Sequence, residues 1–166
     1  GKVQDLSFSN NIVAEGLSRS LHSKGEHSKG LLISNWEGAE GDAARISVIK
    51  NLFSDNVQRN PEVRAGQDIE VVNNLIANYG IARAGMAIGG GNGGTLTTMV
   101  DVVGNVWMPG QSTPGRDRPL MIQAMAADSR INLSDNLYLG AARNASVHQD
   151  QRLIYWATTG ALAERV

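Results

Sequence analysis

The sequence predicts an all-β protein, a parallel β-helix in which each coil stacks its strands on those of the next. A stretch of alternating apolar residues, followed by Asn and another apolar residue, occurs five times in the 166-residue chain. The copies span residues 6–13, 46–53, 69–76, 100–107 and 131–138. The chain also has 19 glycines, and its Ile, Leu, Val and Ala fall in short runs, a composition typical of many short strands joined by tight turns.

An asparagine marks the same place in every copy. These residues are Asn11, Asn51, Asn74, Asn105 and Asn136, and they are 40, 23, 31 and 31 residues apart. Such irregular spacing does not fit a helical repeat, but it fits β-coils whose loops differ in length. Asn tolerates the left-handed backbone conformation of a bend, and its amide can bond to the backbone of a stacked coil. We therefore expect an asparagine ladder along one corner.

The two ends of the chain differ in their expected structure. Residues 1–166 fit a single domain. An end coil exposes unpaired strand edges, and the first repeat begins at Leu6, so we expect further coils before Gly1. Residues 149–166 are predicted to form a loop and a short helical cap that includes Ile154 and Trp156. The glycine-rich residues 85–94 and the proline-bearing residues 109–119 are predicted to be loops between coils.

Composition excludes several classes of function. The net charge of −1 provides no general basic field for nucleic acid or for an acidic membrane, and no apolar run is long enough to span a bilayer. The absence of cysteine excludes disulfides and thiolate metal sites. His22 and His27 lack a third ligand nearby and indicate a metal site only weakly. Residues 89–94 match a dinucleotide fingerprint, but strand-like residues follow where a helix is required.

Three cations stand just before predicted strands. They are Lys29, Arg59 and Arg64, and stacking of successive coils would bring them into one basic patch. Arginine offers a rigid fork of donors and lysine a mobile point charge, so this patch suits a substrate with carboxylates, such as a sugar-acid polymer. The same residues could instead form a solvated rim or surface salt bridges of little energy. Spacing alone leaves both interpretations open.

Four segments together resemble a known family. Residues 10–17, 22–30, 46–51 and 58–66, in that order, are similar to the pectate lyases of polysaccharide lyase family 1, most clearly from Leu6 to Asn78. The resemblance implies that the chain is the C-terminal portion of the catalytic domain of a secreted enzyme with a right-handed parallel β-helix. It further implies cleavage of α-1,4-polygalacturonate by β-elimination, with Ca²⁺ bridging the uronate and acidic side chains.

The resemblance also implies roles for the three cations. Arg59 matches the first arginine of the family's Arg-x-Pro-x-x-Arg pattern, the base that takes the proton from C5 of the uronate. Arg64 and Lys29 match residues that bind the substrate carboxylate. Cations suit this chemistry because abstraction of a proton next to a carboxylate creates a dianion that must be neutralised. Arginine is an unusual base, since its guanidinium group is normally protonated.

The calcium ligands of the family lie on coils before the part that this chain resembles. Asp5, Glu15 and Glu26 fall outside the family's pattern, so no metal ligand is assigned here. We expect Ca²⁺ to be held by coils absent from this chain, with an N-terminal fragment of the same enzyme as a possible partner. Two alternatives stay open: a non-catalytic β-solenoid that binds acidic polysaccharide, and a pectin lyase acting on methylated substrate. The ordered Lys29, Arg59 and Arg64 favour the pectate lyase.

Overall fold

The computed structural model describes residues 2–17, 21, 23, 29–34, 43–80, 84–113, 118–140, 143–147 and 149–157. Within these residues the regular structure consists of short strands and two single-turn 3₁₀ helices, Gly91–Gly94 and Gln151–Leu153. The strands are β1 (Val3–Ser9), β2 (Ile12–Ala14), β3 (Leu32–Ile33), β4 (Ala43–Ile49), β5 (Leu52–Ser54), β6 (Glu62–Val63), β7 (Gly66–Val72), β8 (Leu75–Ala77), β9 (Met86–Ile88), β10 (Thr98–Val103), β11 (Val106–Met108), β12 (Leu120–Ile122), β13 (Arg130–Ser134), β14 (Leu137–Gly140), β15 (Arg143–Ser146) and β16 (Ile154–Trp156).

The strands form three sheets that run the length of the molecule. Sheet A has the order β1-β4-β7-β10-β13, sheet B the order β2-β5-β8-β11-β14-β15, and sheet C the order β3-β6-β9-β12-β16. Neighbouring strands are parallel, except that β15 folds back antiparallel on β14. Each coil thus contributes one strand to each sheet. This arrangement confirms the predicted parallel β-helix.

Stacked apolar side chains fill the interior. In sheet B, Phe53, Ile76 and Trp107 are in register on successive strands, and all three are fully buried. Sheet C contributes the corresponding row Val63, Ile88 and Ile122. Because successive side chains of a strand point to opposite faces, the residues between these positions lie on the outside, where a binding groove can form.

The asparagine ladder is present. Asn51, Asn74, Asn105 and Asn136 are buried, and the side-chain oxygen of each accepts hydrogen bonds from the Asn of the preceding coil. The oxygen of Asn74, for example, lies 2.9 Å from both the backbone nitrogen and Nδ2 of Asn51. The ladder therefore satisfies buried polar groups from one coil to the next.

The expected backbone conformation of the ladder residues is wrong. The left-handed residue at each corner is the one before the ladder asparagine. These residues are Asn10, Lys50, Asn73, Gly104 and Asp135, with φ between 54° and 66°. At each corner the left-handed residue turns the chain, and the ladder asparagine after it directs its side-chain amide along the stack. A left-handed position in this fold accepts Lys and Asp as well as Asn and Gly.

Two predictions about irregular segments need correction. Ile154 and Trp156, expected in a helical cap, lie in β16, which pairs in parallel with β12; residues 158–166 of the predicted cap lie outside the described residues. Residues 85–94, expected to be a loop, contain β9, whose inward side chains extend the core. In both places three residues are too few to show an alternating pattern, and pairing with a neighbouring coil makes them a strand.

The side chains of the first coil are more exposed than those above them. Leu6 is 45% exposed, whereas its register partner Ile46 in β4 is 3% exposed. In the described residues β1 pairs only with β4. The expectation of further coils before Gly1 stays a prediction. Of the helices that the described residues form, none is long and apolar enough to cross a membrane.

Candidate functional site

The segment between β5 and β6 is held in place by its backbone on both sides. Gln58 forms a parallel bridge with Lys29 on the first coil. The carbonyl of Arg59 accepts a hydrogen bond from the Leu31 amide at 2.8 Å, and the Asn60 amide donates to the Gly85 carbonyl on the third coil at 3.0 Å. The Asn60–Pro61 peptide bond is cis. The position of Arg59 is therefore set by three successive coils.

Arg59 has a left-handed backbone, with φ of 65°. For a residue with a side chain this conformation costs about 1–2 kcal/mol, and such strain is concentrated at functional sites. Gly30 makes the conformation possible on the side of the first coil, because a Cβ at residue 30 would lie 2.4 Å from the Arg59 carbonyl oxygen. The glycine before β3 thus allows the first coil to approach the turn that presents Arg59.

Glu62 joins the two arginines. Its Oε1 accepts a hydrogen bond from Nε of Arg64 at 3.0 Å, and its Oε2 lies 2.6 Å from Nε of Arg59. The Glu62 side chain is only 7% exposed, against 20% for Arg59 and 28% for Arg64. A buried carboxylate is costly unless it is paired, and here two guanidinium groups compensate for it.

The two contacts of Glu62 differ in geometry. The Arg64 Nε–H is aligned with Oε1 as a hydrogen bond. The buried Nε of Arg59 has no aligned acceptor, although Oε2 is close. Glu62 therefore holds Arg64 by a directed bond and Arg59 by attraction of charge.

A groove of about 360 Å³ lies over this cluster, on the outer face of sheet C. It is lined by Gln58, Arg59, Glu62, Arg64, Ala84, Ala87, Met121 and Gln123. Glu62, Ala87 and Met121 are register partners on β6, β9 and β12, so they form one outward row. The groove thus has an ionic end at β6 and an apolar floor over the next two coils.

The structure brings the predicted cations together to different degrees. Arg59 and Arg64 share one carboxylate and line one groove. Lys29 lies on the neighbouring coil beside Gln58, which also lines the groove. His22, His27 and Glu26 lie outside the described residues.

Sequence reasoning missed Glu62. Its position held a usable signal, because residues 62 and 64 must lie on the same face of a strand that follows Arg59 closely.

The interpretation of the arginines as salt-bridged is true in part, since each contacts Glu62. Each guanidinium uses Nε for this contact, and within the described residues the η nitrogens of both make no hydrogen bond. The three side chains together carry one net positive charge, which suits an added carboxylate.

Among the described residues, no three His, Asp or Glu side chains lie close enough to hold a metal ion. Both oxygens of Glu62 contact arginines. Asp5 lies on sheet A, where its Oδ1 is 2.6 Å from Nε of Arg45, and this hydrogen bond lowers the pKa of the Asp5 carboxyl group. Ca²⁺ prefers six or more oxygen ligands, and the described residues around the groove do not provide such a set.

Comparison with known proteins supports the resemblance seen in the sequence. No family model matches the chain. Over 113 residues, or 68% of the chain, it is 34% identical to a probable pectate lyase C of Aspergillus flavus and to another of Aspergillus oryzae. A probable pectate lyase C of Aspergillus terreus is 31% identical over the same length. The chain spans 22% of the length of these relatives. The similarity confirms the resemblance to pectate lyases.

Proposed function

We propose, from the similarity to proteins named probable pectate lyase C, that this chain is part of a polysaccharide lyase that cleaves polygalacturonate by β-elimination. The observation that carries the proposal is the pair of arginines held side by side at a groove by one buried carboxylate. Guanidinium groups at fixed spacing match the carboxylate of a uronate and favour the extra negative charge of the transition state.

In the proposed reaction the η nitrogens of Arg64 bind the uronate carboxylate, and Lys29 adds positive charge from the neighbouring coil. Arg59 takes the proton from C5. The C5–H electron pair forms the C4=C5 double bond, the C4–O4 bond breaks, and the departing oxygen takes a proton from water. The products are a shortened chain and an oligogalacturonide with an unsaturated non-reducing end.

The role of Arg59 as the base depends on its contact with Glu62. Glu62 holds the side chain of Arg59 next to Arg64, and so next to a uronate bound by Arg64. The Arg59 Nε–H has no aligned hydrogen bond to Glu62, so little directed bonding has to be broken when the side chain of Arg59 moves towards C5 of the bound substrate.

We also propose secretion, and Ca²⁺ held by ligands outside this chain. The described residues of the groove do not fit Ca²⁺, so no step of the reaction is assigned to it here. If Ca²⁺ takes part, a chelator will abolish activity of the full-length protein, and added Ca²⁺ will restore it. Activity unchanged by the chelator would refute the calcium requirement and leave the arginine site untouched.

The test is ultraviolet absorbance of the unsaturated product when full-length protein is mixed with polygalacturonate. Arg59→Ala should reduce the rate at least about 100-fold, the ordinary contribution of a positioned base. Arg45→Ala is a matched control, because Arg45 is also left-handed, with φ of 52°, and also pairs with a carboxylate, but it lies on sheet A. An active Arg59→Ala variant would rule out Arg59 as the base.

The contact of Arg59 with a carboxylate also favours a second function, non-catalytic binding of acidic polysaccharide by charged arginines. Binding of polygalacturonate by the full-length protein without unsaturated product would identify that function. Faster cleavage of methylated pectin than of polygalacturonate would instead identify a pectin lyase.

A further inference from the structure

We propose that Glu62 is a positioning residue that assigns different tasks to the two arginines. It fixes Arg64 by a directed hydrogen bond as the clamp, the residue that binds the substrate carboxylate. It holds Arg59 only by attraction of charge, so the side chain of Arg59 can move when substrate binds. The inference rests on the proposed function for its kinetic consequences. The geometry that supports it does not depend on the reaction.

Glu62 is the most buried side chain of the three. The Glu62 side chain is 7% exposed, less than either arginine, and it begins β6, whose backbone is bonded to both neighbouring coils. The Glu62 amide donates to the Leu31 carbonyl at 2.9 Å. The carboxylate is therefore the fixed member of the cluster, and the arginines are arranged around it.

The same guanidinium nitrogen contacts Glu62 in both arginines. Both arginines meet Glu62 through Nε, the inner nitrogen. A substrate carboxylate that bound along the side of a guanidinium group would accept a hydrogen bond from Nε. Glu62 already occupies Nε of both arginines, so it blocks this approach. Substrate must bind through the η nitrogens at the ends of the side chains. Glu62 thus sets the direction of binding as well as the spacing of the two cations.

The contacts of Glu62 with Arg64 and with Arg59 differ in their alignment. The Arg64 Nε–H makes an aligned hydrogen bond with Oε1, whereas the Arg59 Nε–H is close to Oε2 but not aligned with it. Glutamine at residue 62 can still accept a hydrogen bond from Arg64 through its amide oxygen, but it lacks the charge that holds Arg59. Alanine loses both contacts.

The kinetic test compares Glu62→Gln with Glu62→Ala in the full-length protein acting on polygalacturonate. For Glu62→Gln we expect KM within about twofold of the original value and kcat about tenfold lower. For Glu62→Ala we expect a higher KM together with kcat lower by on the order of 10²-fold, the usual effect of a small misplacement of reacting groups. Glu70→Gln removes the same charge from an exposed site on sheet A, where Glu70 accepts a hydrogen bond from Ser47, and should change neither constant.

Two kinetic results would overturn the inference: a kcat for Glu62→Gln equal to that of the unchanged protein, or an equal rise of KM in both Glu62 variants. The split between KM and kcat separates positioning from a general loss of folding, which would lower the amount of active enzyme in both variants alike.

A nuclear magnetic resonance measurement tests the geometry without catalysis. In the absence of substrate, the Arg64 Nε–H should exchange slowly with solvent in the unchanged protein and in Glu62→Gln, and at least tenfold faster in Glu62→Ala. Equal exchange in all three proteins would refute the clamp. If the unchanged protein forms no unsaturated product, the proposed function fails, while this exchange measurement still decides the role of Glu62.

Discussion

Replacement of Asn74 by alanine should show how much the asparagine ladder stabilises the β-helix. Asn74 is 1% exposed. Its Nδ2 donates to the Val48 carbonyl and to Oδ1 of Asn105, both at 2.9 Å. Its Oδ1 accepts from the backbone nitrogen and Nδ2 of Asn51, also at 2.9 Å. Alanine removes all four hydrogen bonds.

The magnitude follows from the groups that alanine leaves behind. The Asn51 backbone N–H is buried and loses its acceptor, at a cost of about 1–3 kcal/mol. The bond from Nδ2 of Asn51 and the bond to the Val48 carbonyl are each worth about 1 kcal/mol, because Nδ2 of Asn51 keeps a second bond, to the Phe8 carbonyl. Loss of the fourth bond adds little, because Oδ1 of Asn105 keeps the hydrogen bond from the backbone nitrogen of residue 74. We expect Asn74→Ala to lower the free energy of unfolding by about 3–5 kcal/mol.

The assay is urea unfolding of the full-length protein, followed by circular dichroism, with Asn73→Ala as the control. Asn73 is the preceding residue, also an asparagine, but it is exposed and left-handed, with φ of 55°. Its replacement should cost about 1 kcal/mol or less, since only a backbone preference is lost. Equal destabilisation by the two variants would refute the ladder as a source of stability.

Three further predictions concern the backbone under the site and two charged groups. Gly30→Ala places a Cβ against the Arg59 carbonyl, so we expect a loss of about 1–3 kcal/mol in unfolding free energy together with lower lyase activity; unchanged activity would contradict the role of Gly30. Arg45→Ala should raise the pKa of Asp5 towards its ordinary value, as measured by carbon nuclear magnetic resonance, because the Arg45 hydrogen bond lowers that pKa in the folded protein. The stabilisation from this pair is present at neutral pH and is lost as the pH falls through the lowered pKa of Asp5, so an Asp5 titration unaffected by Arg45→Ala would refute the pairing. Lys29→Ala should raise KM for polygalacturonate about tenfold, the ordinary loss of one charged hydrogen bond, and an unchanged KM would exclude Lys29 from binding.

Much of the fold could be predicted because its repeating elements leave a local pattern. Each strand pair around a ladder asparagine needs apolar residues at alternate positions, so the five copies are visible without knowledge of their contacts. The left-handed corners could not be predicted in the same way. They are occupied by Asn, Lys, Asn, Gly and Asp in turn, since the conformation is imposed by stacking and not by one side chain.

Two short strands of sheet C, β9 and β16, escaped prediction for a related reason. Met86–Ile88 lies within a glycine-rich stretch, and Ile154–Trp156 follows a polar segment. Neither has enough residues to show a period. Both become strands because parallel neighbours on adjacent coils satisfy their backbone groups.

The sequence by itself determined the repeat, the ladder residues and the identity of the three cations, because these depend on residue types at recurring positions. Only the tertiary structure decided that Arg59 and Arg64 share the carboxylate of Glu62, that Arg59 is left-handed, and that Gly30 of the first coil leaves room for it. The approach of Gly30 to Arg59 joins two coils, and spacing along the chain cannot specify it, because loops of unequal length separate the coils. The contacts of Glu62 lie within one coil, but they depend on the left-handed turn at Arg59 and on side-chain directions that bring atoms within about 3 Å, the range of a hydrogen bond.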